Sequence, residues 1–285
     1  MAKILYGKPV RDKMAEELKE KVARLGFKPV LAIVQVGDRE DSNIYVQNKI
    51  KFGEEIGVRV EVVHQRIMNY ESRIKGEEEI IKEIKKLNKD ENIKGIIVQL
   101  PLPQGLDTEK IINTIDYHKD ADGLRVSDTR ENNLLITPAT ARAVMALLDF
   151  YKIEIKNKKV AVIGRSRLAG SPIARTLEER GAKVEVCHKE TSNTAEICRQ
   201  SDILIVAAGQ IGLVNKDFVN ENQVVVDVGI NRVMGEAEKP KLVGDVLFDE
   251  VEPLVSGITP VPGGVGPLTV ACLFENLINL CYHNS

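Results

Sequence analysis

Net charge is almost absent: 40 basic against 42 acidic side chains leave −2 at pH 7. No overall field draws in nucleic acid or an anionic membrane, so neither is the expected partner. Cysteine is scarce as well. Cys187, Cys198, Cys272 and Cys281 form neither a CxxC pair nor a metal-ligand spacing. That argues against a metal site and a disulfide-stapled scaffold, and leaves reduced, mostly buried thiols as the expectation. No apolar run approaches the ~20 residues of a membrane span. Lys3, Lys8, Arg11 and Lys13 interrupt any secretory apolar region, so a cytoplasmic protein is expected. Tryptophan is missing and aromatics are only 4%, while isoleucine and valine are plentiful. That composition suits buried parallel strands covered by charged amphipathic helices.

With 285 residues the chain is long enough for two compact domains. Short β-branched runs alternate with charged stretches: 29-PVLAIVQVG, a helix from about Ser42, 58-VRVEVVHQRI, a helix near 76–88, and 95-GIIVQLPLP. The alternation predicts repeated βα units. From Pro103 through 116-DYHKDADGL to 128-DTRENNLL the chain is polar and without a firm period, as a loop-rich connector or cleft lining would be. A helix is predicted from Thr137, with Thr137 as N-cap, Pro138 at the first position, and Val144, Leu147 and Leu148 as its apolar residues. Next come 159-KVAVIG, a helix around 171–180, 182-AKVEVCH, 202-DILIVAAG and 223-QVVVDVGI, the pattern of a doubly wound sheet. A last helix, roughly 267–282, follows a Pro/Gly-rich loop.

The segment 164-GRSRLAG-170 leaves a strand and opens a helix, where backbone N–H groups and the positive helix end can hold a pyrophosphate. Its G-x-S-x-x-x-G spacing departs from the usual G-x-G-x-x-G, and a bare strand-to-helix turn is an even alternative. Arg165 and Ser166 tilt the reading toward phosphate. At the end of the strand 182–188 the ribose signals are mixed. Lys189, with Arg165, suits a 2′-phosphate, whereas Glu190 suits a free 2′-hydroxyl. NADP is favoured, and solvated loop charge is the competing account of both residues.

In 42-SNIYVQNKIK, Ser42, Tyr45 and Lys49 stand at i, i+3 and i+7, so a helix would align them on one face. A lysine in a dry site beside a ring loses stability as a cation and moves toward the range where it shuttles protons. An arbitrary Tyr-x-x-x-Lys is more often an exposed lysine on an amphipathic helix. Short-chain dehydrogenases share the spacing, but there it lies downstream of the nucleotide loop, and here it precedes that loop.

Read in order, 42-SNIYVQNK, 99-QLPLP, 119-KDADG, 164-GRSRLAGSP and 259-TPVPGGVGPLT resemble the bifunctional methylenetetrahydrofolate dehydrogenase/methenyltetrahydrofolate cyclohydrolase family along nearly the whole chain. The resemblance implies a two-domain α/β fold with a cleft. Residues 1–138 plus 267–285 would form an amino-acid-dehydrogenase-like folate domain, and 139–266 a Rossmann-type domain. It implies NADP, with NAD less expected, a tetrahydrofolate substrate, a homodimer, and a place in one-carbon metabolism and purine biosynthesis. Lys49 would handle proton transfer, Tyr45 would stack on the folate, Gln99 would set the charge state of Lys49, and Asp122 would accept from the pterin's amino-pyrimidine edge. Without the resemblance, Asp122 is a turn residue before Gly123. Leu100, Pro101, Pro262, Gly263 and Gly266 would complete the folate site. Gly164, Arg165, Ser166, His188, Lys189, Ala208, Gly209, Ile230 and Thr269 would line the dinucleotide site.

Two departures stand out. Leu135, Ile136 and Thr140 replace the family's usual proline, cysteine and glycine around Thr137 and Pro138, and Asp128 and Arg130 stand where Asn-x-Gly is usual. Changed cleft width, nucleotide preference or loss of one activity would follow if that segment matters. Two rival functions stay open at this stage. A dehydrogenase of small keto or hydroxy acids would need a cationic carboxylate clamp, for which Arg125 is the nearest candidate. A nucleotide-sensing scaffold would bind NADP without turnover.

Overall fold

The computed structural model describes residues 2–65, 72–125, 136–234 and 240–283. Asp128, Arg130 and Leu135 lie outside them. In chain order the elements are β1 (Lys3–Ile4), α1 (Gly7–Ala23), β2 (Val30–Val36), α2 (Glu40–Ile56), β3 (Arg59–Gln65), α3 (Ser72–Lys89), β4 (Ile93–Val98) and α4 (Thr108–Asn113). They continue with α5 (Ala139–Phe150), β5 (Lys159–Ile163), α6 (Gly170–Glu179), β6 (Lys183–Cys187), α7 (Thr194–Arg199), β7 (Ile203–Val206) and β8 (Val224–Asp227). The chain closes with β9 (Asn231–Met234), β10 (Pro240–Val243), α8 (Phe248–Val251), β11 (Gly257–Ile258) and α9 (Gly266–His283). No helix among the described residues is long and apolar enough to cross a membrane.

The chain divides into two compact units, Met1–Lys13 with Pro138–Cys272, and Met14–Thr137 with Leu273–Ser285. The expected boundaries differ from these near both ends of the chain and, by a single residue, at Pro138. Residues 1–13 leave the folate domain because β1 pairs in parallel with β11 and so joins the other unit's sheet. The second difference lies inside α9, whose residues through Cys272 also count with that unit.

The first unit holds a six-stranded parallel sheet in the order β1-β11-β8-β7-β5-β6. Strand β5 has its successor β6 on one side and β7 on the other, so the winding reverses there, and the ends of β5 and β7 form a switch point. The apolar runs are continuous because these strands are covered on both faces: Val160–Ile163 and Ile203–Val206 are all buried.

The second unit is built on the parallel sheet β3-β2-β4. Central β2 is buried at all seven positions, which is why it reads as unbroken VLAIVQV. Helix α2 ends on Gly57 at φ 88°, a left-handed cap whose N–H bonds back to the helix. Phe274, Leu277 and Ile278 of α9 are fully buried in this unit. Two glycines make room for that helix. A Cβ on Gly53 would stand 3.2 Å from the Phe274 ring, and one on Gly95 would stand 2.5 Å from Leu277 Cδ1.

Helix α5 corrects one expectation. Pro138 is the N-cap, not the first helical residue: its ψ of 134° is extended, and its carbonyl accepts from Arg142 N–H at 2.9 Å. Thr137 therefore lies one step outside, where its carbonyl accepts from Asn276 Nδ2 at 2.9 Å.

Candidate active site

The second unit gathers three of the chemistry-bearing side chains singled out above. Lys49, in the third turn of α2, points its Nζ at Gln99 Oε1, 2.8 Å away. Gln99 follows β4, is buried, and donates its own amide to the Leu100 carbonyl at 2.7 Å. That second bond fixes which end of the amide faces the lysine: the carbonyl. The amine is therefore held by an acceptor that carries no charge. Burial pushes the Lys49 pKa down, and the nearby Asp122 carboxylate opposes the shift only in part. Asp122 is pushed the other way, to about 6, by burial first, with Lys49 lowering and Asp120 raising it. The pair thus holds an amine and a carboxyl that both titrate closer to neutrality than they would in water.

Tyr45 precedes Lys49 by one turn of α2 and is partly exposed, and Ser42, at the start of that row, is buried. The peptide between Leu100 and Pro101 is cis, as is that between Val261 and Pro262.

Asp122 is presented by a turn that sequence reasoning left incomplete. Buried Asp120 accepts from Gly123 N at 3.0 Å and from Arg125 N at 2.8 Å, and Gly123 takes φ 69°. Asn276, fully buried in α9, donates to the Ala121 carbonyl at 3.1 Å and bridges it to that of Thr137. A visible signal existed for each: two aspartates two apart before a glycine, and one amide within an apolar helix. Arg125 is no free clamp, because its guanidinium donates to the Ile115 carbonyl at 2.9 Å.

The first unit holds the phosphate-type turn. A Cβ on Gly170 would stand 2.0 Å from the Gly164 carbonyl oxygen, and one on Gly164 would stand 2.2 Å from the Ala207 carbonyl oxygen. Gly164 also takes φ 113°. The two glycines thus let α6 and the end of β7 close on the turn, which accounts for the unusual spacing. Ser166 Oγ accepts from Gly170 N at 3.4 Å. Arg165 projects toward solvent, with Glu190 3.6 Å away. His188 follows β6, where its N–H donates to Thr191 Oγ1 at 2.9 Å, and Lys189 stays exposed. Glu190 therefore faces the guanidinium that a 2′-phosphate would need.

Ala208 and Gly209 form the turn after β7. Ile230 lies against Gly266, a Cβ on which would stand 3.4 Å from its Cδ1. Thr269 Oγ1 donates to the Gly266 carbonyl at 2.8 Å. In the loop before α9, Gly263 takes φ 109°, and its carbonyl accepts from Gly7 N at 2.8 Å. Pro262, Gly263 and Gly266 belong to the first unit, whereas Tyr45, Lys49, Gln99 and Asp122 belong to the second. Among the described residues, no group of acidic, histidine or cysteine side chains is arranged to hold a metal.

A doubly wound sheet with a glycine turn at its switch point, and a second unit carrying a half-buried lysine on a neutral acceptor, point to a dinucleotide-dependent enzyme. Comparison with known proteins makes this specific. Residues 5–122 match the catalytic domain, and residues 138–285 the NAD(P)-binding domain, of tetrahydrofolate dehydrogenase/cyclohydrolase. The bifunctional protein FolD of Lactobacillus acidophilus is 43% identical over 98% of this chain and 97% of its own. That of Moorella thermoacetica is 44% identical over 97% and 98%. The crystal structure of the Campylobacter jejuni bifunctional enzyme superposes with a TM-score of 0.90 at 39% identity, over 100% of both chains. The Trypanosoma brucei enzyme, solved with NADP and an inhibitor, gives 0.91 at 37%, over 99% and 98%. A shikimate dehydrogenase of Peptoclostridium difficile, at 16% identity and a TM-score of 0.52, shares the fold alone. The chain belongs to the tetrahydrofolate dehydrogenase/cyclohydrolase family, joining an NAD(P)-dependent dehydrogenase to a cyclohydrolase on folate.

Proposed function

We propose that Lys49, Gln99, Asp122 and Tyr45 carry the cyclohydrolase chemistry and hold the folate, and that NADP is the dinucleotide used. The observation that carries this reading is the half-buried Lys49 amine on the Gln99 carbonyl beside Asp122. The dehydrogenase step converts 5,10-methylenetetrahydrofolate to the 5,10-methenyl cation. Leaving as hydride, the hydrogen requires no acid from the protein, so positioning dominates. The residues of the first unit fit a dinucleotide, with a glycine turn that opens onto the ten-residue α6 and an exposed arginine at its tip. Bound there, the dinucleotide supplies the hydride acceptor.

Hydrolysis needs a proton relay. Water adds to the methenyl carbon, a neutral Lys49 amine takes one of its protons, and the ammonium returns that proton to the ring nitrogen that leaves. The hydroxyl proton passes to solvent, and 10-formyltetrahydrofolate results. Gln99 suits this cycle because its carbonyl accepts from amine and ammonium alike. Asp122, as an acceptor-only carboxylate, fits the N–H donors of the pterin's amino-pyrimidine edge, and the Tyr45 ring offers a stacking face.

Support for NADP comes from Arg165 and Lys189, which follow β5 and β6, with Glu190 as the opposing charge. Buried cysteines, none of the four in a disulfide, suit a reducing cytoplasm. A homodimer through the first unit rests on the family resemblance. The exposed apolar side chains Met234 and Leu242 on the antiparallel pair β9–β10 offer a surface for it.

The test is a spectrophotometric assay with 5,10-methylenetetrahydrofolate, comparing NADP with NAD and following both reduced cofactor and the methenyl species. NADP-dependent reduction without methenyl build-up is expected. Build-up would mean an impaired cyclohydrolase half, and no reduction with either cofactor would remove the assignment.

A further inference from the structure

Next to the turn after β7 lies a pair of buried carboxylates that the chemistry above does not use. Asp245 is fully buried. Its Oδ2 accepts from both Ala208 N and Gly209 N at 2.8 Å, and its Oδ1 accepts from Asn231 Nδ2 at 2.8 Å. Beneath it, buried Asp227 accepts from Gly229 N at 2.9 Å, from Asp245 N at 3.2 Å and from Val246 N at 3.0 Å. Two glycines give these carboxylates their space. A Cβ on Gly229 would stand 2.3 Å from the Asp245 carboxyl carbon, and one on Gly244 would stand 1.9 Å from Asp227 Oδ2.

The turn that Asp245 grips has another constraint. The Ala207 carbonyl closes on Gly164, leaving no room there for even a Cβ. Residues 207–209 are therefore fixed between the phosphate-type turn and a charged acceptor. Neither N–H of the turn is available to a ligand, because both are spent on Asp245. A neutral isostere does not replace this clamp: asparagine would turn an N–H₂ donor, or a single weaker acceptor, toward two backbone donors.

We propose that Asp245, steadied by Asn231 and seated on Asp227, is a positioning residue for the dinucleotide: it holds the Ala208–Gly209 turn in the conformation that receives the cofactor. This rests on the reading of Ala208 and Gly209 as part of the dinucleotide site. The residue touches no reactant and acts only through the turn.

Bifunctionality supplies the test, because hydrolysis of added 5,10-methenyltetrahydrofolate needs no dinucleotide. In the full-length Asp245→Asn variant, NADPH affinity read by fluorescence titration should fall about tenfold, as expected when two N–H bonds lose an ionised acceptor. The dehydrogenase KM for NADP should rise with it, while the KM for methylenetetrahydrofolate and the cyclohydrolase rate stay within about twofold. Asn231→Ala, which leaves the carboxylate in place, should give a smaller effect of the same kind and serves if Asp245→Asn does not fold. Unchanged NADPH affinity in whichever variant folds would overturn the proposal. So would a parallel fall in both activities with a lowered melting temperature, the mark of a merely structural role. The titration needs no turnover, so failure of the folate assignment would show separately, as an inactive wild-type chain that still binds NADPH.

Discussion

Replacing Gln99 by glutamate puts the lysine's environment to a quantitative test. The new carboxylate would take the place of a neutral oxygen 2.8 Å from the Lys49 Nζ. A unit charge pair near 4 Å is worth about 4 kcal/mol at an effective dielectric of 20. That converts to roughly three pKa units in favour of the ammonium. Desolvating the new carboxylate takes some of this back, leaving a rise of about two units. The direction is opposite to that imposed by burial, which holds the Lys49 pKa below its usual value. Below both pKa values, a two-unit rise cuts the neutral amine fraction about a hundredfold. Wherever the pH lies below both pKa values, cyclohydrolase kcat should therefore fall by about that factor, and the rising limb of its pH profile should move about two units toward alkali. The dehydrogenase step takes no proton from the protein and should change by less than about threefold. The assay is a pH series of both activities on the same preparation. An unmoved limb, or an equal loss of both activities, would show that Gln99 does not act through the charge state of Lys49.

Lys49→Met should lower cyclohydrolase turnover by about 10²–10⁴ while the dehydrogenase persists, so that methenyltetrahydrofolate accumulates in the coupled assay. Because Asp122 titrates at about 6, the folate KM should climb as pH falls through that value, by up to about tenfold per unit as the carboxyl gains a proton and loses acceptor capacity; Asp122→Asn should abolish this dependence. Gly170→Ala drives a methyl group into the Gly164 carbonyl and should weaken NADPH binding and destabilise the chain by about 1–3 kcal/mol, read by titration and thermal melting. Asn276→Leu strips the donor from the Ala121 and Thr137 carbonyls and should cost about 2–4 kcal/mol in a denaturant titration.

Element identities were legible because two periods coexist in the sequence: unbroken Val/Ile runs for doubly covered parallel strands and charged amphipathic stretches between them. Strand β2 and the turn at Gly164 are cases where local chemistry suffices. The helix start at Pro138 was displaced by one residue because a proline is equally able to sit at the cap with an extended ψ, and only its carbonyl bond to Arg142 decides. Domain membership of residues 1–13 was hidden for a different reason. A two-residue strand carries no periodic signal, and its pairing with β11 spans almost the whole chain. Lys49, Gln99 and Asp122 were named by motif, but their convergence depends on tertiary structure. Asp120 and Asn276 carry a local signal, the paired aspartates before Gly123 and the lone amide of an apolar helix, whereas Asp227 and Asp245 take most of their bonds from main-chain groups remote in sequence, which leave no spacing to read.

The division of the chain has a consequence for its synthesis. The core of the second unit is completed by Phe274 and Leu277, while the sheet of the first begins with Lys3–Ile4. During translation, then, the earlier-made half waits for residues 273–283 before its apolar interior can close, and it must meanwhile stay out of aggregates. A ribosome stalled after residue 265 would carry a nearly whole dinucleotide sheet beside an unfinished folate unit. The dinucleotide sheet is thus nearly complete before the folate unit closes, although most of the folate unit's residues are encoded first.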